Sequence, residues 1–403
     1  MTSGRNIIPV LLGADLNAYS VALAFRDFFG VASHVFARYR CGATENSKFI
    51  TTHICEGLCD VSVAIPELLK FAAENNGAEL FLIPCADWYV EMLIKARSQL
   101  GGIYNVYMPD ADIWRTLSDK AEFYSLMKKA KIPHPPYIAF KKGDKITEKS
   151  LAAFGFPAVI KPSDSSLYWR NPFRNMKKVY FPKSTDDSKE IIKRIFDSGY
   201  DKSVIFQKKI GWGEEQIRVL TTISDSRGKV VRAVLGEVIL EECGSTSQGN
   251  HAAIITRPLD DLSFQIIEFL SKVGYRGIAN IDIIFSEGEG YVLELNPRQG
   301  RSCDYLRAAG VDIADLIVRC AKGEYVAPDF SYKQIYWHHP PHDVVIKYAS
   351  KDRSEEAARL KRAGKEYTPY NNGYEGARRA IYVYIHNIRM RKTVKKSMKE
   401  DSE

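Results

Sequence analysis

Residues 280–302 read "NIDIIFSEGEGYVLELNPRQGRS". Two apolar-rich runs flank a short Gly-containing turn, which is the signature of a β-hairpin. Side chains alternate faces along a strand. In the second run Leu293 and Leu295 share one face, and Glu294, Asn296 and Arg298 share the other. Pro297 has no backbone donor, so the strand ends there or lies at an edge. In the first run Asp282 alternates with Ile281 and Ile283. With Ser286 opposite Gly290 around "EGE", Asp282 falls opposite Glu294. Facing carboxylates repel, and burying them is costly unless a cation lies between them. Asn296 adds a neutral oxygen. Asp282, Glu294 and Asn296 together suit Mg²⁺, a hard ion that keeps waters and borrows phosphate oxygens. Glu294, Asn296 and Arg298 alone also fit the solvated face of a half-buried strand. Asp282 on the paired strand is what turns the reading toward a Mg-nucleotide site.

The other parts of such a site lie upstream. Lys161 ends the strand "PAVIK", where an ammonium can hold phosphate charge. Lys120 opens an earlier helix. Either lysine alone also fits a solvated surface group. Gln207 closes the strand "SVIFQ", and the following "KKIG", with Lys208, Lys209 and Ile210, can lay backbone groups along a base edge. Glu214 and Glu215 follow within reach of a ribose.

The first ~115 residues alternate strand and helix patterns, from "NIIPVLLG" through "DWYVEMLIKARSQLGG". That rhythm predicts a parallel, doubly wound sheet. The loop "GADLNAYS" lacks G-x-G-x-x-G, which argues against a dinucleotide site. Asp15, Asn17 and Asp87 nevertheless follow strand ends, where α/β sheets bind ligands. Asp15 or Asn17 equally fits a helix cap. "HICEGLC" brings His53, Cys55 and Cys59 close together, but no second ligand pair follows at zinc spacing, so a buried strand with apolar thiols is expected. From "TLSDKAEF", where Asp119 and Glu122 make a capping pattern, the rhythm changes to antiparallel strands separated by helices. "HHPPH" at 338–342 is broken by prolines and reads as a loop. The stretch from Arg378 to Lys399 contains no acid.

Length and composition narrow the class. A chain of 403 residues exceeds one ordinary core. Hydrophobic content of 45% with 26% charged residues belongs to a soluble globular protein. Seven scattered cysteines argue against a disulfide framework and for a reducing cytoplasm. No run approaches the roughly 20 apolar residues that span a bilayer, and the N-terminus reads as a first strand. The formal charge of +8 favours anionic partners. No nucleic-acid-binding motif accompanies it.

The order Lys120, "VIKP", "FQKKIGWGEE", "NIDIIF" and "LELNPRQGRS" resembles the ATP-grasp superfamily over roughly residues 5–325. "IIPVLLGADLNAYSVALAF", "NPRQGRS" and the basic aromatic C-terminus are similar to the D-aspartate ligase group of carboxylate–amine ligases. The resemblance implies an ATP-grasp fold preceded by a Rossmann-like parallel α/β domain. Its divisions would be a first domain at 1–115, a small subdomain at 116–205, a large subdomain with the Mg site at 206–330 and a basic extension at 331–403. It implies that Lys120 and Lys161 contact ATP phosphates, that Gln207 to Ile210 form the adenine hinge, and that Glu214 or Glu215 contacts the ribose. Asp282, Glu294 and Asn296 match the metal ligands, for two Mg²⁺ or Mn²⁺ in their place. Arg298 matches the arginine that steadies the transferred phosphoryl group, and Arg218 and Arg301 can grip a substrate carboxylate.

Two features depart from the family pattern. The segment "PSDSSLYWRNPFRNMKK" has no glycine where a phosphate-covering loop is Gly-rich, and Lys208 stands at a hinge position that is often acidic. Tyr168 and Trp169 fit either a lid or a packed aromatic pair. The implied reaction activates an acid as its acyl phosphate and transfers it to an amine. D-Aspartate and the lysine amine of an anionic, UDP-linked or lipid-linked peptidoglycan precursor are the implied partners, at the cytoplasmic side. A peripheral membrane contact through 376–399 is one expectation, and a solvated helix the other. The alternatives are a ligase for another amino acid or dipeptide, and a non-catalytic nucleotide-binding or membrane-associated module.

Overall fold

The computed structural model describes residues 6–211, 216–242 and 249–400, with the backbone alone for 398–400. The chain divides into two compact units. One comprises Met1–Asp110, Val219–Asn280 and Pro297–Glu403, the other Ala111–Arg218 and Ile281–Asn296.

The first unit opens with β1 (Ile7–Leu12), α1 (Leu16–Phe29), β2 (Ser33–Ala37), β3 (Ile50–Ile54), α2 (Val61–Glu74), β4 (Glu79–Pro84), α3 (Asp87–Leu100) and β5 (Asn105–Val106). The strands form a parallel sheet in the order β3-β2-β1-β4-β5. Near-continuous apolar runs such as "IIPVLL" suit a parallel sheet covered on both faces. Asp15 caps α1 by accepting from the Asn17 N–H at 3.1 Å, and Gly30 ends it in the left-handed region. Strand order reverses between β1 and β4, so their carboxyl ends open a crevice of the kind that binds ligands. One expectation changes here. The strand bearing His53 is β3, at the sheet edge and half exposed, because only β2 pairs with it. His53 packs against His34, with ring nitrogens 2.9 Å apart.

The second unit begins with α4 (Ala111–Ser118), α5 (Lys120–Ala130), β6 (Tyr137–Phe140), α6 (Glu148–Ala152), β7 (Ala158–Pro162), α7 (Ser165–Trp169), α8 (Thr185–Asp197) and β8 (Val204–Lys208). Asp119 caps α5 through the N–H groups of Ala121 and Glu122. β6, β8 and β7 form an antiparallel sheet with β8 central, over a core that includes Ile160, Tyr168, Ile192 and Phe206.

The chain then runs through β9 (Gln216–Ser224), β10 (Val230–Glu241), β11 (His251–Arg257), α9 (Asp261–Lys272), β12 (Gly277–Ser286) and β13 (Glu289–Asn296). β9 passes from the second unit to the first at Val219, and β12 returns to the second at Ile281. The hairpin turn is tighter than expected. It has two residues, Glu287 (φ 53°) and Gly288 (φ 83°), and β13 starts at Glu289. Ser286 therefore stands across the turn from Glu289, and the expected Ser286–Gly290 pairing, which set Asp282 opposite Glu294, does not form. Two positive-φ residues match the twist of adjoining strands. β13 ends at Asn296, directly before Pro297.

The remaining elements are α10 (Asp304–Ala308), α11 (Ile313–Ala321), β14 (Tyr336–His338), α12 (His342–Tyr348), α13 (Lys351–Arg362), β15 (Glu366–Tyr367) and α14 (Ala377–Glu400). β14 adds to β11, and β15 adds to β14. "HHPPH" is thus not a plain loop. His338 ends a buried strand, His342 starts α12, and the prolines make the junction. Among the described residues no helix is long and apolar enough to cross a membrane.

Candidate active site

The second unit gathers the residues expected to hold a nucleotide. Lys161 stands at the end of β7, across from Ile205 of β8. Its ammonium donates to the Tyr124 hydroxyl at 3.0 Å and to the Leu293 carbonyl at 3.3 Å. The Tyr124 hydroxyl donates to the same carbonyl at 2.6 Å and lies 3.2 Å from Gln207 Oε1. Lys120, the first residue of α5, places its ammonium 3.2 Å from Glu294 Oε2 and 3.2 Å from Ser165 Oγ. Lys120, Lys161 and Gln207 are all buried.

Charge decides what this cluster can take. Burial pushes the Glu294 carboxyl up, but Lys120, Lys178 and Lys161 outweigh it and hold it well below the usual range. Burial lowers the Lys161 ammonium to about 7, against the pull of Glu294 and with the repulsion of Lys120 and Lys178. Three ammonium groups around one carboxylate are a poor resting arrangement and a good one for a polyanion. Asp282 and Asn296 share a face, with Asn296 Nδ2 3.5 Å from Asp282 Oδ2. Two carboxylates and an amide oxygen in this unit form a hard-donor set, so the residues present fit Mg²⁺.

The hinge narrows in one respect. Lys208 donates its backbone N–H to the Pro136 carbonyl at 2.9 Å, so that N–H is not open to a base edge. The Lys209 ammonium donates to the Gly211 carbonyl at 3.0 Å. Glu214 and Glu215 lie outside the described residues. Arg218 stacks its guanidinium 3.8 Å from the centre of the Phe285 ring. Within the glycine-free segment after Lys161, Ser165–Trp169 form α7, capped by Asp164 onto the Leu167 N–H. Tyr168 is a core residue there, bonded to Tyr180 and to the Lys177 carbonyl, while Trp169 is exposed.

The first unit carries a separate set at the carboxyl ends of β1, β2 and β4. A cavity of about 340 Å³ is lined there by Gly13, Asp15, Arg38, Asp87, Arg298 and Arg301, among others. Arg298 meets Asp87 through two contacts of 2.9 Å. Arg301 lies 3.7 Å from Asp15 and 3.1 Å from Glu242. Burial raises the Asp15 carboxyl, and Arg301 and Arg298 oppose that rise.

The loop that carries both arginines is tied down. Gln299 donates to the Pro84 carbonyl at 2.9 Å, and Asn17 donates to the carbonyls of Cys85 (3.0 Å) and Gln299 (2.9 Å). Asn17 is therefore a buried strut, and Asp15 is both cap and cavity wall. A Cβ at Gly300 would sit 2.6 Å from Asn280 Oδ1, so any side chain there would force Asn280 to shift.

Sequence reasoning missed Lys178, Tyr124 and Glu242. Lys178 is one of two adjacent lysines with nothing to separate them. Tyr124 sits in the apolar face of a helix. Glu242 follows a strand end, and its charged partners Arg301 and His339 lie 59 and 97 residues further along the chain. Each acquires a role only through residues distant in sequence.

Residues 117–302 match the family model of the ATP-grasp domain. The D-aspartate ligase of Enterococcus faecium (strain Aus0004) is 27% identical over 368 residues, covering 88% of this chain and 87% of that protein. The biotin carboxylase domain of the 2-oxoglutarate carboxylase from Hydrogenobacter thermophilus, solved with MgADP, ADP and bicarbonate, aligns with a TM-score of 0.62 at 17% identity. That match covers 81% of this chain and 73% of the other. The L-amino acid ligase from Bacillus licheniformis aligns with a TM-score of 0.54 at 13% identity, over 79% of this chain and 75% of the other. At these identities the solved structures share the fold.

Proposed function

The chain belongs to the ATP-grasp family of ligases, and from that premise we propose that it joins D-aspartate to a primary amine in an ATP-dependent reaction. The acid's carboxylate attacks the γ-phosphorus of ATP, giving an acyl phosphate and ADP. The amine then attacks the acyl carbon, the C–N bond forms, and phosphate leaves with the acyl C–O bond. No side-chain nucleophile is needed, so catalysis is positioning and charge neutralisation. Lys120, Lys161 and Lys178 hold the phosphates. Asp282, Glu294 and Asn296 would hold Mg²⁺, which neutralises phosphate charge when bound. Gln207 and the backbone of Lys209 and Ile210 receive the base.

The charge of the cavity in the first unit carries the choice of acid. Among its described lining residues, Arg38, Arg298 and Arg301 face Asp15 and Asp87, leaving one positive charge over. An amino-dicarboxylate has one negative charge over. Its carboxylates suit the guanidinium groups, and its ammonium suits Asp15 or Asp87. The named ligase relative supports aspartate and its D form. The acceptor is read as the lysine side-chain amine of an anionic cell-wall precursor, UDP-linked or lipid-linked, which suits the +8 charge.

ADP release in the presence of hydroxylamine tests the acid. D-Aspartate should give hydroxamate at least tenfold faster than L-aspartate, D-glutamate or D-alanine. A stronger response to a monocarboxylic amino acid removes the aspartate reading and leaves the ligase class standing.

Exposed Ile381, Tyr384 and Ile385 share one side of α14 with basic neighbours, which suits peripheral contact with anionic lipid. Flotation with phosphatidylglycerol vesicles should weaken in an Ile381→Glu, Tyr384→Glu variant. Equal flotation of the variant and the parent chain removes that contact.

A further inference from the structure

A second cavity, of about 300 Å³, lies within the first unit and shares Asp15, Cys41 and Arg301 with the one just described. Its other lining comes from Glu242 and His339 and from the C-terminal segment, including Tyr370, Tyr382 and His386. The mechanism above leaves all five unused.

The chemistry of this cavity is asymmetric. One end carries carboxylates. Glu242 is nine-tenths buried, with Oε1 3.1 Å from both Arg301 and His339, and with Oε2 accepting from Asn250 at 3.1 Å. Burial pushes its carboxyl up, yet His339, Arg301 and Asn250 bring it down to about 2, so it is ionised at neutral pH. Asp15 is the second carboxylate. The other end is aromatic, with the His386 ring stacked on Tyr382 at 5.8 Å and edge-on to Tyr370 at 5.4 Å. Burial together with His339, Arg379 and Arg389 lowers His386 to about 4, so it adds an uncharged wall.

A purely structural role, docking α14 onto the unit, is already filled elsewhere. Arg379 is buried and donates to the carbonyls of Gly42 (2.8 Å), Ala43 (2.6 Å) and Glu45 (2.9 Å). Its guanidinium also lies over the rings of Tyr19, Tyr370 and Tyr382. That clasp holds the helix without Glu242. A sleeve of aromatic rings that ends in carboxylates matches an aliphatic stem that ends in an ammonium.

We propose that this second cavity receives the amine-bearing arm of the acceptor, an unbranched aliphatic primary amine, with its ammonium turned to Glu242 and Asp15. The proposal rests on the ligase reading above. Asp15, Cys41 and Arg301 are then the common wall between activated acid and incoming amine. The C-terminal segment, which the family match at 117–302 does not reach, becomes the part of the chain that selects the acceptor.

Three reactions of the full-length protein test this: hydroxamate formation from D-aspartate, ATP and hydroxylamine, and ligation of D-aspartate to Nα-acetyl-L-lysine amide or to a UDP-linked muramyl pentapeptide containing L-lysine. Thr393 is an exposed residue of the cavity rim, so Thr393→Trp narrows the cavity without disturbing the core. This variant should raise the KM of the lysine acceptor at least tenfold and leave hydroxamate formation within twofold. Glu242→Gln should raise the same KM at least tenfold. An acceptor KM within twofold of the parent in both variants overturns the proposal. So does a parallel loss of both reactions in Thr393→Trp, which marks a structural effect. If the parent protein forms hydroxamate but ligates neither lysine acceptor, the acceptor assignment is wrong. If it forms no hydroxamate, the reading of the acid fails first.

Discussion

The guanidinium of Arg298 and the carboxylate of Asp87 meet side-on, through Nε–Oδ1 and Nη2–Oδ2 contacts that are both 2.9 Å. Arg298 follows β13 by two residues, and Asp87 starts α3 after β4. The pair fixes the plane of the guanidinium at the wall of the first unit's cavity. Arg298→Lys keeps a charge but loses the fork. It should lower kcat/KM for D-aspartate-dependent ADP release about 100-fold. Asp87→Asn should act mainly on the KM for the acid, raising it about tenfold, which corresponds to roughly 1.4 kcal/mol. Unchanged kinetics in both variants would separate this pair from the reaction.

Glu294 is the carboxylate on which three lysine charges converge. Glu294→Gln keeps the shape and removes the charge. Amine-dependent ADP release should fall about 100-fold or more, with the melting temperature close to that of the parent. Near-normal turnover removes Glu294 from the metal set. A large drop in melting temperature would instead assign it to stability.

Lys161 gives a pH signature. Its ammonium titrates near 7 in the free protein, below the ordinary lysine value, chiefly because burial penalises the charged form. A bound polyphosphate favours the ammonium. At pH 8 nucleotide binding should therefore take up close to one proton, about none should be taken up at pH 5.5, and affinity should decline as pH rises from 7 to 9. Calorimetry in buffers of different ionisation enthalpy reads this directly. Lys161→Met should abolish the uptake, and an uptake that persists in this variant must come from another group. The linkage for stability has the opposite sign. The lowered value is a full penalty below about pH 7, and it shrinks as pH climbs toward 10.5.

Arg379 clasps the C-terminal helix onto residues 42–45. Arg379→Ala leaves three carbonyls, that of Ala43 buried, without their donor and empties the space between three tyrosine rings. A loss of about 3 kcal/mol or more in urea unfolding is expected, with earlier proteolysis between residues 371 and 380. Lysine at the same position should recover only part of the loss, because one ammonium cannot reproduce the planar fork. A variant as stable and as protease-resistant as the parent would show that α14 is held by other contacts.

Much of the frame was legible in the chain. The βαβ rhythm, the hairpin and the strand end after Asn296 depend on local periodicity, on caps such as Asp119 and Gly30, and on Pro297 as a stop. These act within a few residues, so they survive in a linear reading, whereas Arg298 lies past that strand end and meets Asp87. The hairpin turn was misread by one residue, because both "EG" and "EGE" satisfy the local pattern. Only the strand twist selects the two-residue form at Glu287 and Gly288.

What the amino-acid order determined by itself is the set of parts: a parallel sheet, antiparallel strands separated by helices, acidic and amide side chains on a hairpin, and lysines at strand and helix ends. Tertiary structure alone decided which parts meet. Glu242 lies 59 residues from Arg301 and 97 from His339 in the chain, yet contacts of 3.1 Å join it to both. Arg379, in a helix that reads as a solvated basic stretch, is one of the largest fully buried side chains. The physical reason is the same in both cases. A charge can be buried only where distant groups pay for its lost water, and no local pattern announces which groups those will be.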